Sequence, residues 1–168
     1  MTRNVIILIL SFFFFMVAAC SNNNVTAEDI GLAGIWEVDL SPDKNVSTFK
    51  GKVNFKGNRY VYTWYQLRED PNNRSKNWVP IKIEQGNIVV EKPGVMELLA
   101  DSFSVNNYSG DVQNQEVTNY LLEPSHSDYL IHYEIRDKQL VWKEDSNLDG
   151  DFDDVFDFPE TVVYTLID

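Results

Sequence analysis

The sequence predicts an all-β fold, a small antiparallel barrel or sandwich of eight or nine strands. Three observations predict it. Apolar and polar residues alternate with a period of two in many short runs, the pattern of half-buried strands. Turn dipeptides such as Gly57-Asn58, Gly86-Asn87 and Asp137-Lys138 punctuate those runs. Aromatic and β-branched residues fill many of the apolar positions, and no internal repeat is present. A chain of 168 residues has room for one domain with a substantial core.

The first nineteen residues stand apart from this pattern. Arg3 and the amino terminus are positive, and Val5 to Ala19 is apolar except for Ser11. Those 15 residues fall short of the roughly 20 needed to span a bilayer, and they have the proportions of a signal peptide. The competing reading is an uncleaved N-terminal anchor. Val17-Ala18-Ala19-Cys20 resembles the lipobox of bacterial lipoproteins, and Cys20 is the only cysteine of the chain. The resemblance implies a lipid on the Cys20 sulfur, cleavage before Cys20 and acylation of the new amino terminus. Several acyl chains on one residue anchor stably where one is marginal. Ser21 resembles the residue that follows the cysteine in the outer-membrane class. The expected organisation is a signal peptide over residues 1–19, a lipidated cysteine and polar tether over 20–31, and a barrel domain over 32–168. The expected location is the outer membrane of a bacterium, anchored by lipid and facing the periplasm, with the bilayer as a partner through Cys20.

The strands follow in order. Ala27 to Ala33 suits one helical turn. Trp36, Val38 and Leu40 then alternate with Glu37 and Asp39, and Ser41-Pro42-Asp43 ends the run. Thr48 to Lys56 directs Val53 and Phe55 to one side. After Gly57-Asn58, Tyr60, Tyr62 and Trp64 share a face. Arg68 to Asn77 reads as a polar loop. Val79, Ile81 and Ile83 then form one face, opposite Lys82 and Glu84. Gly86-Asn87 reads as a hairpin turn leading into Ile88 to Glu91. Val95 to Ala100 suits a helix or a strand, Asp101 to Gln115 reads as irregular, and Glu116 to Leu122 as a strand. Tyr129 to Ile135 places Ile131, Tyr133 and Ile135 together. It turns at Asp137-Lys138 and returns through Leu140 to Lys143, with Leu140 and Trp142 on one face. Thr161 to Ile167 is the last strand.

Gly34-Ile35-Trp36, after a helical turn and before a string of strands, resembles the Gly-x-Trp signature of lipocalin-like (calycin) proteins. Ser127-Asp128-Tyr129 is similar to the Thr-Asp-Tyr patch that precedes a later strand in that family. The family's third element is an arginine near the last strand that packs over the tryptophan. It has no counterpart here, because no Arg or Lys follows Lys143. The resemblance covers about Leu32 to Asp168. It implies an up-and-down barrel with one open end, holding a small apolar molecule or packed shut.

The function classes narrow from composition. With 26 acidic against 14 basic residues the net charge is −12, which argues against nucleic-acid binding. No spacing ties His126 or His132 to a nucleophile, and nothing selects a catalytic pair among Glu69, Asp70, Glu84 and Glu91. The expected role is therefore non-catalytic binding of a small hydrophobic or amphipathic ligand. Tyr60, Tyr62, Trp64, Tyr133 and Trp142 are the candidate lining, since aromatic walls with a few hydroxyls suit such a ligand. The alternative is an adaptor lipoprotein with a solid barrel that binds an envelope protein or polymer through its surface. Glu144 to Glu160 holds eight acids and no base. Within it, Asp145, Asn147, Asp149, Asp151 and Asp153 around Gly150 resemble the start of an EF-hand calcium loop. Alternating carboxylates about a tight turn can converge on one ion, here as a structural calcium clip between strands. Position twelve of such a loop is Phe156 where a bidentate glutamate is expected. The competing reading is a solvated acidic loop.

Overall fold

A computed structural model describes residues 25–41, 48–70, 72–108, 115–121, 130–145, 151–152 and 160–168. The fold is all-β. Its strands are β1 (Gly34–Asp39), β2 (Phe49–Lys56), β3 (Arg59–Glu69), β4 (Lys76–Lys92), β5 (Val95–Tyr108), β6 (Gln115–Leu121), β7 (Leu130–Arg136), β8 (Gln139–Glu144) and β9 (Thr161–Leu166). Every pairing is antiparallel. Chain-order neighbours lie side by side except β6 and β7, β9 returns to β1, and β5 pairs with both β4 and β7. Eight strands thus close a barrel of lipocalin-like topology, and β6 is added along the far half of β5.

One end of the barrel is stoppered. Thr26 and Asp29 cap each other, the Asp29 carboxylate accepting from the Thr26 backbone N–H at 2.9 Å and its hydroxyl at 2.8 Å. The resulting turn brings Leu32 N–H to the Ala27 carbonyl at 2.8 Å. The Ala27 N–H donates to the Gly57 carbonyl at 2.7 Å, and the Glu28 carboxylate accepts from the Gly57 N–H. The β2–β3 turn and the stopper therefore hold each other. Ala27 and Leu32 are fully buried, and the Trp36 indole donates to the Leu32 carbonyl at 2.7 Å. Trp36 joins Val53, Phe55, Tyr60, Met96, Ile131 and Leu140 in one core cluster. The tryptophan is thus covered by the turn before its own strand, in a chain that has no arginine for the task.

Four expectations are corrected. Gly86-Asn87 is no hairpin turn: β4 runs through it to Lys92, with a bulge between Gln85 and Gly86. Gly86 is needed because β5 crosses so closely that a Cβ there would collide with the Leu99 carbonyl oxygen. The loop expected over Arg68 to Asn77 is shorter, since β3 extends to Glu69 and β4 starts at Lys76. Val95 to Ala100 is strand, and β5 continues to Tyr108 through the stretch read as irregular. Its polar residues are tolerated because β4 pairs it as far as Val105 and β6 pairs it from Ser102 to Tyr108. Finally, Val79 does not share a face with Ile83: Val79 opposes Gln66, on the face of Trp64, and Ile83 opposes Thr63, on the other. A bulge between Trp64 and Tyr65 shifts the register on the Val79 side, while Trp64 opposes Lys82 and Tyr62 opposes Glu84. Directly opposed residues share a face, which turns both charges inward.

Candidate functional site: the inner face of the barrel mouth

The inner face of the barrel is read off the strand registers. Trp36, Val53, Tyr62 and Glu84 lie in one row, with Phe103 and Tyr120 continuing it. Val38, Gly51, Trp64, Lys82 and Val105 form the next row away from the stopper. Gly51 is dictated by this row, since a Cβ there would meet the Tyr62 hydroxyl at 2.7 Å.

All five aromatic residues expected to line a cavity lie on this face. Tyr60, Tyr62 and Trp142 are buried, whereas Trp64 and Tyr133 are half-buried against the core. Tyr62 stacks on Trp64 with ring centroids 3.9 Å apart. Tyr133 is the direct partner of Trp142 across β7 and β8. Tyr164, which the sequence reading did not single out, joins them. Its ring lies 5.6 Å from that of Trp142, and its hydroxyl meets the Tyr62 hydroxyl at 2.8 Å. This bridge links β3 to β9 through the interior. On its stopper side lie Trp36, Phe55 and Leu140 of the core cluster; on its mouth side Trp64 and Lys82 share a row with Val38 and Val105.

The charges form a network. Glu84 accepts from the Tyr60 hydroxyl at 3.0 Å and from the Lys82 ammonium at 3.2 Å. The same ammonium lies over the rings of Trp64, at 4.5 Å, and Phe103, at 5.4 Å. Glu144 opposes Ile131 at the end of β8, and its N–H donates to the carbonyl of the buried Glu160. Burial pushes the Glu144 carboxyl above the usual range, with the nearby Glu84 and Glu160 charges adding to the rise against a hydrogen bond from Trp142. Burial pushes the Tyr62 hydroxyl up to about 12, and Tyr60 and Tyr164 are raised as well. These tyrosines are neutral hydrogen-bonding groups at any physiological pH. Tyr164 was legible in the alternation of Val162, Tyr164 and Leu166. Lys82 and Glu84 were not, because only the bulge reveals their side.

Two outer features complete the picture. A shallow groove lined by Glu28, Asn54, Lys56, Gly57, Arg59, Tyr60 and Val61 lies on the exterior beside the stopper, away from the mouth. On the outer face of β2 to β4, Lys50 lies 4.6 Å from the Trp78 ring centroid and pairs with Glu37, which also holds Lys52.

Of the candidate calcium ligands, Asp145 and Asp151 are described, whereas Asn147, Asp149 and Asp153 lie outside the described residues, as do Cys20, His126 and Ser127-Asp128-Tyr129. Phe152 folds back on β7, its ring centroid 5.2 Å from His132, and its carbonyl accepts from the Thr161 hydroxyl at 2.9 Å. Among the described residues no group of three or more His, Cys, Asp and Glu is gathered as a metal site, and no helix is long and apolar enough to cross a membrane. No known family model matches the chain, and neither the curated proteins nor the solved structures give a match.

Proposed function

We propose that the protein is a lipid-anchored envelope protein that binds a small hydrophobic or amphipathic molecule at the open end of its barrel, without catalysis. The observation that carries this reading is the division of the interior. The Tyr62–Tyr164 bridge and the stopper occupy one half with packed side chains. The half-buried Trp64 and Phe103, with the Glu84–Lys82 pair, face the other half. A ligand there meets aromatic surface for its apolar body and a charged pair for its polar end. Anchorage rests on the lipobox at Cys20, and a structural calcium rests on the carboxylate spacing from Asp145 to Asp153.

The test is native mass spectrometry of the chain without residues 1–20, sprayed with and without chelator. A co-purified mass of a few hundred daltons supports the carrier reading. Replacing Trp64 by Ala is expected to weaken that ligand about tenfold or more, because a stacked tryptophan is a typical binding anchor. A loss of roughly 40 Da on chelation, corrected for displaced protons, supports calcium in the acidic loop. The extent of interior packing favours one second reading, an adaptor that binds through its surface. Bare protein under both conditions shifts the weight to it.

A further inference from the structure

We propose that β6 is a pairing edge for a second copy of this chain, joined antiparallel about Thr118. A closed barrel leaves no strand edge, and eight strands here satisfy that rule. Among the described residues β6 is the exception: it pairs with β5 over Ser102 to Tyr108 and with no other strand. The other edge of β5 belongs to β4, and β7 takes only Val95 to Glu97 on the near side. The barrel does not need β6 to close.

Edge strands of monomers are protected by lysine, proline, bulges or covering segments. Gln115–Leu121 contains no Lys, Arg or Pro, and its pairing with β5 runs without a bulge. Val117 and Tyr120 are 48% and 44% exposed on the two faces of the strand. Among the described residues no strand takes the backbone donors and acceptors of this edge, and an extended segment can pair with them.

The sequence of β6 selects a second copy as that segment. Centring the antiparallel pair on Thr118 uses all seven residues. It places Thr118 opposite Thr118, Val117 opposite Asn119, and Glu116 opposite Tyr120. The one charge of the strand then meets a phenol hydroxyl that can donate to it, and no like charges oppose. Centring on Glu116 instead sets carboxylate against carboxylate, which is unfavourable. The Phe103–Tyr120 stack, with centroids 4.5 Å apart, holds Tyr120 in place for that contact. Seven pairs make a small interface, so the dimer forms in a concentration-dependent way.

The register is the testable content. In the full chain carrying Cys20→Ser, a Thr118→Cys variant is expected to form a disulfide-linked dimer under mild oxidation. Its yield should be about tenfold that of a Val61→Cys control on the barrel wall, because opposed strand residues lie within disulfide reach. A mixture of Val117→Cys and Asn119→Cys chains should cross-link to each other better than either does alone. Thr118→Lys and Thr118→Glu chains should each be monomeric in sedimentation, and their mixture should restore the dimer. Equal cross-linking at positions 61 and 118 overturns the proposal. So does a wild-type chain that stays monomeric at high concentration, or a Thr118→Lys chain that dimerises as the wild type does.

Discussion

Tyr62 and Tyr164 come from strands separated by most of the chain, yet their hydroxyls meet at 2.8 Å inside the barrel. Removing one hydroxyl leaves the other buried without its partner. Tyr62→Phe is therefore expected to cost about 1–3 kcal/mol in chemical denaturation, and Tyr62→Phe with Tyr164→Phe less than the sum of the single changes. The pair also sets an alkaline limit. Below pH 10, the ordinary tyrosine value, folded and unfolded chains both keep these protons. Between there and about 12, the unfolded chain releases the Tyr62 proton while the folded chain holds it. Stability therefore falls as pH rises through that window. The double phenylalanine variant should show a shallower alkaline decline in a pH series of melting temperatures.

At the scale of elements, the bulges decide what the strands present. Gly86 sits where β5 crosses β4 too closely for a side chain, so Gly86→Ala must push backbone against backbone. Its expected cost is about 2–4 kcal/mol, the range of overpacking at a site that cannot yield. Gly57 has a positive φ of 61° in the β2–β3 turn but open space around it. Gly57→Ala should cost only about 1 kcal/mol, the conformational penalty alone. Thermal melts of the two variants distinguish these cases. The same bulges explain what the sequence could and could not disclose. Strands β1, β2, β7, β8 and β9 were legible because each alternates cleanly between a buried and a solvated face. The length of β4 was not, since Gly86-Asn87 has turn chemistry and its use as a crossing point depends on β5. The inward turn of Lys82 and Glu84 was hidden for a like reason: an inserted residue in one strand reverses the parity of everything beyond it. The aromatic row Tyr60, Tyr62 and Trp64 was read correctly as one face, because no irregularity falls within it.

Across the whole molecule the net charge of −12 works against compaction. Raising salt from about 10 to about 150 mM shortens the screening length to about 8 Å, so the melting temperature should rise by a few degrees. A fall would mean that pairs such as Arg59–Asp101 and Glu37 with its two lysines outweigh the general repulsion. The ring itself is sealed by the last strand meeting the first. Trp36 pairs with Leu166, and the Ile35 N–H donates to the Asp168 carbonyl at 2.9 Å. A nascent chain that lacks residues 160–168 has both β1 and β8 exposed along one side. Its barrel cannot close while that segment is still held in the ribosome. The clasp thus delays commitment to the native state until β9 is free to pair on both sides.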